Sequence, residues 1–92
     1  MRVRWTEPAT HDLTQICDYI QEHSSPETAR RVAVSVSERI ASLSNFPEMG
    51  RTGRRHGTRE LVLSEVPYIA VYRVHGDTVQ ILRILHAAQR WP

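Results

Sequence analysis

PYIAVYRVHGDTVQILRILH, Pro67 to His86, decides how this chain folds. Two apolar runs, Tyr68 to Val74 and Thr78 to His86, flank His75-Gly76-Asp77, a short hairpin signal. Pro67 has no amide hydrogen and marks an edge or a turn ahead of the first run. Strict pleating of the second run sends Val79, Ile81, Arg83 and Leu85 to one face and Gln80, Leu82, Ile84 and His86 to the other, unless a bulge resets the phase. Arg83 then stands in a largely apolar row, where a guanidinium needs a carboxylate or carbonyls to offset its burial. Glu60 and Glu65 are the partners this reading offers it.

Working outward, Arg59 to Ser64 reads as another strand, and Val3 and Trp5 alternate with Arg2 and Arg4 as a short one. Thr6 caps a helix with Glu7 and Pro8 in its first turn, and Ala9, Leu13, Ile16 and Ile20 form its apolar stripe to near His23. Ser24 three residues before Glu27 fits a capping box, with Pro26 in the next first turn. Ala29, Ala33, Val36, Ile40 and Leu43 stripe a longer second helix, which Asn45-Phe46-Pro47 ends. So short a link makes the two helices an antiparallel hairpin. The order β-α-α-β-β-β predicts one α+β domain over residues 1–92, an antiparallel sheet packed against a two-helix hairpin.

The chain's net charge of +2 is unevenly placed. RTGRRHGTR, Arg51 to Arg59, holds four arginines and no acid, so the remainder is −2. Gly50, Gly53 and Gly57 make this segment an irregular loop. Such a loop suits nucleic-acid phosphates or the acidic tail of a partner, or is simply solvated. No apolar run is long enough for a membrane helix or a signal peptide, and one cysteine, Cys17, excludes an internal disulfide, so the expectation is a cytoplasmic protein with no membrane contact. His11, Asp12 and Cys17 lack metal-ligand spacing, and the loop glycines have no strand before them and no helix after them, so no metal or cofactor is expected.

FPEMGR at 46–51, RELVL at 59–63, PYIAVYRV at 67–74 and ILRILHAAQRWP at 81–92, in this order, resemble the RelE/ParE superfamily, the toxins of type II toxin–antitoxin modules. The resemblance spans nearly the whole chain. It implies a cognate antitoxin in a hetero-oligomer, wrapped into the groove between helices and sheet, with DNA contacted only indirectly through that antitoxin. Two targets follow from its branches: DNA gyrase for ParE-like members, which are not nucleases, and the ribosome for RelE-like mRNA endonucleases. Tyr68 stands where many of the nucleases carry an arginine, and there is no lysine to match their catalytic surface. Both departures favour the ParE-like branch. A toxin-fold binding module without activity is a further alternative.

A nuclease here would be metal-independent and would draw on His86 as acid–base group with Arg83, Arg59 and Glu60. RNA cleavage needs a base, an acid and cations around one phosphate. His86 reads equally as a strand-end histidine capped by backbone, and Arg83 as half of a structural ion pair. A binding surface for target or antitoxin would instead use Arg51, Arg54, Arg55, Arg59, Tyr68, Tyr72, Arg90 and Trp91, since aromatics beside arginine mark protein interfaces. Convergence of Arg83, His86 and Arg59 on one recess would favour the nuclease.

Overall fold

The computed structural model describes residues 1–63 and 67–89. Strand β1 (Arg2–Trp5) leads into α1 (Glu7–His23) and α2 (Pro26–Ala41), followed by one 3₁₀ turn, Ser42–Ser44. Strands β2 (Arg51–Thr52), β3 (Arg59–Leu63), β4 (Tyr68–His75) and β5 (Thr78–His86) complete it. The sheet order is β1-β5-β4-β3-β2, with β1 parallel to β5 and every other pair antiparallel. The predicted α+β architecture is therefore the one observed, with β2 added inside the segment expected to be irregular. Arg51 and Thr52 pair there with Glu60 and Arg59.

Caps set where the helices begin. The Thr6 hydroxyl accepts the Ala9 N–H at 3.4 Å and donates to the Ile81 carbonyl at 2.7 Å, so it fixes α1 to the sheet as well as starting it. The second cap is Ser25, which accepts the Thr28 N–H at 3.1 Å, and not Ser24. Pro26 occupies the first helical position, and the cap is the residue before it. Ser24 belongs to the end of α1, its N–H bonded to the Ile20 carbonyl at 2.8 Å.

Val36, Ile40 and Leu43 meet Leu61, Leu63, Ala70, Tyr72, Val79, Ile81 and Ile84 in the core, with Leu13, Ile16 and Ile20 of α1 packed at its margin. β4 and β5 join through Gly76-Asp77, with Gly76 in the left-handed region at φ 62°; this is the conformation a two-residue hairpin turn asks of glycine.

Strict alternation along β5 fails at one point. Tyr72 pairs with Ile81 and Val71 with Arg83, so Leu82 is an extra residue, a β-bulge. The phase resets there. Val79, Ile81 and Ile84 all face the helices, while Leu82 joins Ile69, Val71 and Leu85 on the opposite face.

Candidate functional site

β1 stops opposite Ile81, so the second half of β5 has no strand beside it on that side. α1 takes that place. The Asp12 carboxylate accepts the Ile84 N–H at 2.9 Å, acting as a substitute for a neighbouring strand's carbonyl. It also grips Arg83 with two bonds, from Nε at 2.7 Å and from NH2 at 3.1 Å. The hydrogen bonds to Asp12 raise the Arg83 pKa above its ordinary value, against the opposing effect of burial. Arg83 thus forms the structural ion pair expected of it, but its partner is neither Glu60 nor Glu65, and Glu65 lies outside the described residues.

Beyond this clamp a groove of about 640 Å³ opens between α1 and the end of the sheet. Ile16, Tyr19 and Ile20 line its helical wall, and Tyr68, Ile84 and His86 its sheet wall, with Arg83 and Gln89 at the margin. Tyr68 meets the His86 ring edge-on, with centroids 5.5 Å apart. The His86 ring is tied to its own backbone, because Nδ1 lies 3.1 Å from the Ala88 N–H. An amide N–H only donates, so Nδ1 is the acceptor and the neutral ring carries its hydrogen on Nε2. In that state His86 presents a donor at Nε2.

The other residues assigned to a nuclease lie elsewhere. Glu60 is 2% exposed and holds the basic loop from inside. Its carboxylate accepts the Arg54 N–H at 2.9 Å, Arg54 Nε at 3.2 Å and Arg51 NH2 at 3.2 Å. Burial pushes the Glu60 pKa up, but these bonds outweigh it and hold the carboxyl below its ordinary value. Arg59 NH1 donates to the carbonyls of Gly50 at 2.8 Å and Glu48 at 3.3 Å, closing the turn after α2. None of the four loop arginines lines the groove, though Arg54 NH1 reaches its margin and donates to the Gln89 carbonyl at 3.3 Å. The convergence of Arg83, His86 and Arg59 that would favour a nuclease does not occur: Arg83 and His86 share the groove and Arg59 is absent from it.

Tyr72 is corrected as well. Expected on a recognition surface, it is fully buried, accepting the Gly50 N–H at 2.9 Å and donating to the Pro47 carbonyl at 2.8 Å. A Cβ on Gly50 would come within 2.6 Å of that phenol oxygen, so the Pro47–Gly50 turn closes only around a glycine. Arg55 lies exposed in the loop, and Arg90 and Trp91 fall outside the described residues.

Sequence reasoning missed Asp12 as the organising residue. Its partners Arg83 and Ile84 are more than 70 positions away, and its only local sign was its place on α1 one turn before Ile16. Among the described residues no three His, Cys, Asp or Glu side chains group to hold a metal. Burial, with the Asp18 charge, raises the Cys17 thiol pKa, so it stays protonated and unreactive. Among the described residues no helix is long and apolar enough to cross a membrane.

Comparison with known proteins agrees with this geometry. Residues 3–91 match the family described as the ParE toxin of type II toxin–antitoxin system, parDE. The chain is 44% identical over 91 residues to the putative toxin Y4kP of Sinorhizobium fredii, covering 99% of this chain and 93% of that one. It is 42% identical to the toxin RelE2 of Caulobacter vibrioides, covering 96% and 97% of the two chains. A solved structure titled as the chromosomal ParDE toxin–antitoxin system from P. aeruginosa superposes with a TM-score of 0.87 at 33% identity, covering 94% of this chain and 95% of that one. The chain belongs to the ParE toxin family of type II toxin–antitoxin systems, within the RelE/ParE superfamily.

Proposed function

We propose that this chain is a ParE-like toxin that binds and inhibits DNA gyrase and is neutralised by a cognate antitoxin. The observation that carries the proposal is the occupation of the groups a nuclease would need. Arg83 is held by Asp12, Glu60 by Arg51 and Arg54, Arg59 by two carbonyls, and His86 Nδ1 by the Ala88 amide. Metal-independent RNA cleavage requires such groups free and around one phosphate; these four serve the fold. What remains outward is a surface for contact: the groove with its apolar walls and the arginine loop.

The antitoxin's place is the groove. Ile16, Ile20 and Ile84 offer an apolar floor, and Tyr68, His86 and Gln89 offer hydrogen bonds along one rim. An amphipathic segment satisfies both. Such a partner hides apolar surface that the free toxin leaves in water. Operator DNA in this reading is bound by the antitoxin.

Purified toxin added to gyrase should block supercoiling of relaxed plasmid, and pre-incubation with the antitoxin should restore it. Full supercoiling at a molar excess of folded toxin, with codon-positioned cuts in mRNA on added ribosomes, would overturn the reading in favour of a ribosome-dependent endonuclease.

A further inference from the structure

The face of the sheet away from the helices carries a second, unassigned surface. Val3 and Trp5 pack on the core, which turns Arg2 and Arg4 of β1 to the opposite face. Tyr72 likewise points Arg73 and His75 of β4 outward, and Val79 and Ile81 do the same for Thr78 and Gln80 of β5. Register places these six side chains in two rows across three adjacent strands. Arg4, Gln80 and Arg73 form one row, and Arg2, Thr78 and His75 the other. Strand geometry sets Arg2 and Arg4 about 7 Å apart along β1, and β1 about 10 Å from β4.

The charges here are largely uncompensated. Arg2, Arg4, Arg73 and His75 are exposed, and none of the three arginines makes an ion pair among the described residues. Arg73 Nε donates to the neutral Gln80 at 2.6 Å. Asp77, at the hairpin corner, keeps its carboxylate on the Thr78 hydroxyl at 3.2 Å. Arg51 and Arg54 stand further along the same face, because Glu60, which holds them, pairs with Val71 and shares its side of the sheet.

We propose that this helix-free face, through Arg2, Arg4 and Arg73, binds the phosphate backbone of duplex DNA without reading its sequence. The two rows hold no aromatic or aliphatic side chain, and Ile69, Val71 and Leu85 further along the same face are buried, whereas the centre of a protein interface is depleted of charge and built on such anchors. Arginine with threonine and glutamine between is the usual set for phosphate contacts. Two cationic strands about 10 Å apart suit two phosphate backbones bordering a groove of about 12 Å, as in the major groove of B-DNA; one single strand would meet only one of them. The toxin itself then touches DNA, in place of the purely indirect contact the superfamily resemblance implies. The proposal does not depend on gyrase, and the test contains none.

Binding of a fluorescein-labelled 20-base-pair duplex of mixed sequence to the full chain is to be followed by anisotropy from 50 to 200 mM salt. Neutralising three phosphates predicts a loss of about 40-fold in affinity over that range. Arg4→Gln/Arg73→Gln should weaken binding at least tenfold at the lowest salt and flatten the log–log salt slope by about two. Arg30→Gln/Arg31→Gln, an equal loss of charge on the exposed side of α2, should leave both nearly unchanged. Equal losses in the two double variants would mean only diffuse net charge and overturn the proposal. So would equally tight binding of single-stranded RNA, or binding of poly-glutamate with none of the duplex. Circular dichroism of each variant separates lost binding from lost folding.

Discussion

Replacing Asp12 with alanine tests the clamp that holds α1 to the sheet. The substitution removes the acceptor of the Ile84 amide and both oxygens that hold Arg83. An orphaned amide at this partly buried edge costs about 1–3 kcal/mol. The Arg83 side chain keeps 34% of its surface in water, so losing the ion pair adds only about 1 kcal/mol after solvent screening. Together the loss is about 3 kcal/mol, or about 12–24 °C in Tm for a domain of this size. Asp12→Asn keeps an oxygen for the Ile84 amide and should cost about 1 kcal/mol, as should Arg83→Ala. The double variant Asp12→Ala/Arg83→Ala should fall short of additivity by about 1 kcal/mol, because the pair is lost only once. Urea unfolding gives the energies, and hydrogen exchange at the Ile84 amide should quicken selectively in Asp12→Ala. Equal losses for Asp12→Ala and Asp12→Asn, or strict additivity in the cycle, would refute the reasoning.

Three further outcomes are expected. Tyr72→Phe should cost about 1–3 kcal/mol in urea unfolding, since the Gly50 N–H and Pro47 carbonyl lose their buried partner; a neutral result would show that water replaces the phenol. Ser25→Ala should lower stability by about 1 kcal/mol and Ser24→Ala by less than half that, and the reverse order would reinstate the capping box at Ser24. The lowered Glu60 pKa contributes stability that is present above the ordinary carboxylate value of 4.5 and is lost as pH falls through the folded value. The urea midpoint should therefore drop below pH 4.5 more steeply in the wild type than in Glu60→Gln, and parallel profiles would contradict this.

Local patterns were legible in the sequence and distant pairings were not. The spacing of Ala9, Leu13, Ile16 and Ile20 marks one helix stripe, and His75-Gly76-Asp77 marks the hairpin, because both depend on neighbours in sequence. The bulge at Leu82 was not legible: it follows from how β4 and β5 meet, and nothing in ILRIL distinguishes it from regular pleating. Charge partners were missed for the same reason. Asp12 lies 71 positions from Arg83, and Glu60 holds Arg51 on a strand too short to declare itself and Arg54 just beyond it. Tyr72 misled because a tyrosine on an alternating strand reads alike whether its hydroxyl meets water or a buried turn. The outward arginine rows needed the β1–β5–β4 register, which composition does not contain.

β5, second in the sheet and hydrogen-bonded on both sides, follows every other strand in sequence, while β1, its parallel neighbour, precedes them. A nascent chain that has not reached Thr78 can form its helical hairpin, but β1 has nothing to pair with and Asp12 has no amide to accept. Closure of the sheet waits on contacts between the first and the last strand of the fold, the kind that slow folding. A chain interrupted before Thr78 therefore assembles neither the groove nor the arginine rows, and with them lacks both of the proposed contact surfaces.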